Sequence, residues 1–166
     1  QMRSEGISWH FIGHLQKNKV KFLDERFDLI HSVDSLELAE KIANQCQSEN
    51  RVQSVLLQIN VSGETAKFGM EPGELVNQML AFSRLKGIRV EGLMTIPPYH
   101  PDSENSRSHF SRLRELRDQC EKQNRLSLHE LSMGMTNDFE VAVEEGATLV
   151  RVGTAIFGPR RAIDRK

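Results

Sequence analysis

Hydrophobic and polar positions along this chain follow two rhythms, and the switches between them mark out the elements. Short, mainly apolar runs recur at Ile7–Gly13, Leu29–Val33, Val55–Val61 and Ile88–Met94, then around His129-Glu130-Leu131 and from Thr148 onward. A run without strict alternation reads as a strand covered on both faces, as in a parallel sheet. Between the runs, apolar residues fall at helical spacing. Leu36, Ala39, Ile42, Ala43 and Cys46 form one such stripe, and Leu75, Val76, Met79 and Leu80 a second. Phe110, Leu113, Leu116 and Cys120 line the longest segment, Ser103 to Asn124, and the Lys-rich stretch His14 to Glu25 is also helix-like. Asp34 is expected to cap the helix after the second strand, with Glu37 completing a capping box. Pro72 stands where a helix can begin. Strand and helix alternate six times, which implies a parallel sheet, either doubly wound or curled into a barrel.

Composition narrows the class. A chain of 166 residues with net charge −1 suits one globular domain spanning 1–166 and offers no electrostatic reason to propose a nucleic-acid partner. No apolar run approaches membrane-spanning length, so no membrane partner is expected. Cys46 and Cys120 lie far apart in helix-like segments, and free thiols in a reducing cytoplasm are expected rather than a disulfide. No G-x-G-x-x-G follows the first strand, which weighs against a dinucleotide site. The scattered histidines suggest no metal site.

Candidate chemistry gathers near the end of the chain. In Leu149-Val150-Arg151-Val152-Gly153-Thr154-Ala155-Ile156-Phe157-Gly158, an apolar strand carries one Arg, breaks at Gly153 and opens a helix. Backbone N–H groups at such a junction face outward beside the positive end of the helix dipole, an arrangement suited to an anion and most often a phosphate. Leu131-Ser132-Met133-Gly134-Met135-Thr136-Asn137-Asp138-Phe139 reads as a second strand–turn–helix junction, with Thr136 or Asn137 as N-cap. The turn Ser132–Thr136 and the turn Gly153-Thr154 are expected to converge. Two consecutive junctions of this kind are what a (β/α)₈ barrel uses to hold phosphate after its last two strands. Arg151, inside an apolar strand, must be paired. Its partner is either a structural carboxylate such as Glu130 or a ligand. Asn60, at the C-terminal end of a strand, is placed to line a pocket.

Several segments now identify a family. Trp9-His10-Phe11-Ile12-Gly13-His14-Leu15-Gln16-Lys17-Asn18-Lys19, Gln58-Ile59-Asn60, Gly92-Leu93-Met94, Leu131–Met135 and Arg151–Gly158 resemble, in order and spacing, the pyridoxal-phosphate homeostasis proteins. These are similar in turn to the barrel domain of alanine racemase. The resemblance implies a (β/α)₈ TIM barrel of the alanine racemase N-terminal-domain type that binds pyridoxal 5'-phosphate (PLP) at the C-terminal ends of its strands. It implies a role in PLP homeostasis, without catalytic turnover and in the cytoplasm. Gly153 and Thr154, with Ser132, Met133 and Gly134, would hold the phosphate, Arg151 would face the pyridine nitrogen, and Asn60 would line the pocket. Lys67 matches a lysine the family carries after its Q-I-N strand.

The chain departs from the family at one point. The V-S-K-like motif bearing the Schiff-base lysine on the family's first strand is absent, so the chain is expected to begin before the third strand and to hold six of eight βα units. The expected parent is a monomer, and this chain is expected to leave a gap between the Val150 and Phe11 strands and to pair its open edges with another copy. Two other functions compete with PLP homeostasis. One is a racemase- or decarboxylase-type PLP enzyme, which needs an opposing base that Tyr99, in a Pro-rich loop, does not evidently supply. The other is a barrel enzyme acting on a phosphorylated metabolite.

Overall fold

Val55, Leu56 and Leu57 are fully shielded from solvent because their strand is covered on both sides. Val55 and Leu57 join the large core beneath the helices, while Leu56 turns the other way to meet Leu29 and Met94 in a small inner cluster. The same alternation runs through a single parallel sheet. The computed structural model describes residues 6–64 and 68–159. Its strands are β1 (His10–Phe11), β2 (Leu29–Val33), β3 (Gln53–Gln58), β4 (Ile88–Met94), β5 (Glu130–Met135) and β6 (Leu149–Arg151). The intervening helices are α1 (Leu36–Ser48), α2 (Pro72–Arg84), α3 (Arg107–Asn124) and α4 (Phe139–Glu144), and α5 (Thr154–Phe157) follows β6.

Strand order in the sheet equals strand order in the chain, and each pairing is parallel. A sheet that never reverses its order has no switch point, and right-handed crossovers then place the helices on one face. The other face is concave. His31 on β2 reaches Ser132 on β5 at 2.8 Å. In a flat sheet, three strand spacings of about 4.8 Å would leave those strands ~14 Å apart. The sheet is therefore a curled segment of a (β/α)₈ barrel with six strands. Among the described residues β1 and β6 do not pair, which leaves the expected gap.

Local details differ from the pattern-based expectation. The first strand shortens from Ile7–Gly13 to His10–Phe11, since it has a neighbour on one side only and Trp9 spends its amide on the Asp28 carboxylate. His14 to Glu25 contains only a 3-10 turn, Lys17–Phe22, in which Val20 alone is buried, too little apolar surface to hold a full helix. The α1 cap is Ser35 rather than Asp34. Ser35 has the extended backbone a cap requires, and its hydroxyl accepts from Leu38 N–H. Glu37 makes no capping box and instead pairs with Lys17 and Lys41. Phe82 replaces Leu80 in the buried stripe of α2, leaving Leu80 exposed. A 3-10 turn at Ser103–Ser106 precedes α3. The N-cap of α4 is Asp138, not Thr136 or Asn137, and its Oδ1 accepts from Met135 N–H. Cys46 and Cys120 are free and buried, and burial pushes the Cys120 thiol up to about 11.

Candidate functional site

β6 ends at Arg151, which the inner alternation of the strand turns into the concavity. The side chain is almost fully buried, and its hydrogen bonds among the described residues are to a hydroxyl and a carbonyl rather than a carboxylate. Its Nη1 donates to Ser132 Oγ at 2.5 Å and its Nη2 donates to the carbonyl of Thr95 at 2.8 Å. Glu130, the anticipated structural partner, accepts instead from the Thr148 hydroxyl. Burial lowers the Arg151 guanidinium to about 10, with Asp138 pulling the other way, so it stays charged at neutral pH. Its Nε is buried without a hydrogen-bond partner. A buried charged donor left open is costly unless something accepts from it.

Two residues past Arg151 the chain turns into α5. Thr154 and Ala155 occupy the first helical positions, whose N–H groups have no acceptor within the helix. Ala155 N–H lies 3.4 Å from Thr136 Oγ1, so the turns after β5 and β6 do converge. At Gly153 the backbone is ordinary in φ, and a Cβ there would meet no atom within 4 Å. The space in front of this turn is open to a ligand and would be filled by a side chain.

The anticipated phosphate residues separate into distinct roles. Ser132 and Met133 are not turn residues, because β5 continues to Met135. Ser132 is fully buried with its hydroxyl between Arg151 and His31, so it braces the arginine and does not face the turn. Met133 points the other way, into the core under the helices. Gly134 serves packing: its φ is +91°, and a Cβ would lie 2.6 Å from Ala142 Cβ and 3.0 Å from Phe139 Cα. Only Gly134 lets α4 lie that close to its strand. Asn60 ties down its own loop, donating to Glu64 O and accepting from Ser62 Oγ and Gly63 N–H. Lys67 lies outside the described residues. Tyr99 is exposed and away from the packed interior.

Sequence reasoning missed His31. It is buried on the inner face of β2, with Nδ1 2.8 Å from Ser132 Oγ and Nε2 3.0 Å from His10 Nδ1. Burial first, then the positive fields of His10 and Arg151, hold its imidazole down at about 3, so it is neutral. The signal was available: His31 interrupts the apolar run Leu29–Val33 just as Arg151 interrupts its own, and a polar group in a buried strand must find a partner. Among the described residues no group of three His, Cys, Asp or Glu side chains is placed to hold a metal, and no helix is long and apolar enough to cross a membrane.

The site so built is a buried cation with one open donor, two residues before a glycine turn with open space in front of it. Comparison with known proteins supplies the family. The family described as alanine racemase, N-terminal domain, matches residues 1–161. The pyridoxal phosphate homeostasis protein of Aquifex aeolicus is 49% identical over 155 residues, covering 93% of this chain and 68% of the relative. The chain thus spans about two thirds of the length of the curated relatives it matches, at 68% and 65% for two of them. Among solved structures, PipY of Synechococcus elongatus without PLP superposes with a TM-score of 0.87 at 36% identity, covering 93% of this chain and 73% of PipY. PipY with PLP bound gives 0.84 at 37% identity, covering 92% and 71%.

Proposed function

The chain belongs to the alanine racemase N-terminal-domain family and, within it, to the pyridoxal phosphate homeostasis proteins, and from that premise we propose that it is a PLP-binding protein of PLP homeostasis that carries the cofactor without turning over a substrate. The observation that carries this reading is the pairing of the partnerless Arg151 Nε with the unfilled space at Gly153, two residues away. Arg151 would meet the pyridine nitrogen, and the N–H groups of Gly153 and Thr154 would meet the phosphate, beside the Ala155 N–H that Thr136 already accepts. Ser132 would position Arg151, Gly134 would shape the β5 turn, and Met133 and Asn60 would support the walls from behind.

PLP supplies an electron-withdrawing ring, strongest when its nitrogen is protonated. Arg151 is a donor only and keeps its proton, so it would leave that nitrogen unprotonated and the ring a weak electron sink. That favours a carrier over an enzyme needing a strong carbanion sink. A cytoplasmic location, no nucleic-acid partner, and self-association through the singly paired strands β1 and β6 complete the proposal.

The test is titration of the chain with PLP, followed by equilibrium dialysis of the G153L variant. Wild type is expected to bind one PLP and G153L to lose at least tenfold in affinity, while pyridoxal, which lacks the phosphate, binds weakly to both. Equal binding of PLP by wild type and G153L would remove the phosphate turn from the site. An alanine racemisation assay on the same samples is expected to show no turnover.

A further inference from the structure

The concave face carries a line of hydrogen bonds longer than the cofactor reading requires. From Arg151 it runs through Ser132, His31, His10 and Ser8 to Asp28, linking β6, β5, β2 and β1. One end dictates its direction and the other accommodates it. At one end the carboxylate of Asp28 only accepts, so the single hydroxyl hydrogen of Ser8 goes to Asp28 Oδ2 at 2.9 Å. Ser8 Oγ must then accept from His10 Nε2, 3.2 Å away. At pH 8, where an ordinary imidazole is neutral, His10 is left with Nδ1 as acceptor, so His31 Nε2 must donate across the 3.0 Å between the rings. That leaves His31 Nδ1 as acceptor for the Ser132 hydroxyl. At the other end Arg151 only donates, so Ser132 Oγ accepts from Nη1 and keeps its own hydrogen available for His31. The direction set at the Asp28 end is the one the Arg151 end accommodates, with each bond of the line holding one hydrogen.

We propose that His31 is the positioning residue of Arg151: as the Nε2–H tautomer it holds the Ser132 hydroxyl turned toward itself, which fixes the lone pair on which the guanidinium rests, and the relay to Asp28 holds His31 in that tautomer. The alternative tautomer would take both lone pairs of the Ser132 oxygen, deprive its hydrogen of His31 as acceptor, and set two ring acceptors against each other between His31 and His10. A charged His31 would add a second cation beside Arg151 in a buried setting, which is unfavourable. Arg151 is held at two nitrogens, by the Thr95 carbonyl and by Ser132 Oγ, and the second of these depends on how the Ser132 hydroxyl is turned. The significance of this role for the ring nitrogen rests on the PLP reading, but the relay itself does not.

The experiment uses the chain labelled with ¹⁵N, without cofactor, at pH 8, where an ordinary imidazole is neutral. Long-range ¹H–¹⁵N correlation is expected to show both His31 and His10 as Nε2–H tautomers. A His31 signal for Nδ1–H, or for a rapidly averaged mixture, overturns the proposal. The variants H31L and H31N then test positioning. Asn offers an acceptor oxygen near the place of Nδ1, and Leu offers none. Arg151 side-chain N–H signals are expected to be sharp and resolved in wild type and H31N, and exchange-broadened or lost in H31L. Unchanged Arg151 signals in a folded H31L would overturn the role, and if H31L does not fold, the wild-type tautomer still decides. Since no PLP is present, the relay can fail while the cofactor reading stands, and PLP binding can fail while the relay stands.

Discussion

Gly153 and Gly134 are both glycines after apolar strands, and they are glycine for opposite reasons. At Gly153 a side chain meets empty space and an ordinary φ. Substitution there is expected to leave the urea midpoint of the cofactor-free chain within about 0.5 kcal/mol of wild type, while removing PLP binding as argued above. His31 makes the second residue-scale prediction. Its folded value of about 3 lies below the ordinary 6.5. Between those values the unfolded chain takes up a proton that the folded chain refuses, so stability rises with pH across the window and is lost as pH falls through it. Going from pH 7 to pH 4.5 is expected to cost wild type about 2 kcal/mol more than H31N, read from paired denaturation curves. Equal losses would mean that His31 takes up its proton in the fold without penalty. The groups pressing on it are His10 and Arg151, both on the concave side.

At the scale of elements, the β5–α4 junction shows where pattern reading stops. The apolar run and the helix after it were legible, yet Ser132 and Met133 were assigned to a turn that begins only after Met135. A strand continues as long as its neighbours offer partners, and β4 and β6 do so here. G134A is expected to destabilise the chain by about 2–4 kcal/mol, since it combines a left-handed φ with a Cβ driven into Ala142 and Phe139. A shift of the thermal midpoint smaller than that expected for about 1 kcal/mol would mean that α4 can move off its strand at little cost. The caps misread at α1 and α4 have one cause: Ser35 and Asp138 were chosen by backbone geometry among several capping-competent neighbours, and the pattern does not rank neighbours that are chemically alike.

For the whole molecule, the open sheet has two outer strands. Among the described residues β1 and β6 each pair on one side only, and Trp9, Ile12, Val150, Ile156 and Phe157 are exposed along or beside them. Unpaired strand edges flanked by apolar surface invite pairing with another copy. Sedimentation of the chain is expected to show mass increasing with concentration, and V150K to reduce it by placing a charge on the β6 edge. A strictly monomeric chain at high concentration would mean that these edges are already protected. What the sequence by itself determined were the six strands, the four α-helices from α1 to α4, the parallel class and the anomalies at Arg151 and Gly153, because each follows from local periodicity and local chemistry. The family's motifs added the barrel. Only the tertiary structure decided that the sheet curls far enough for β2 to touch β5, and so that His31, a residue with no local oddity beyond its polarity, stands behind Ser132 and Arg151. Curvature sums small twists over many strands, and which side chains it brings together is recorded in no single stretch of the chain.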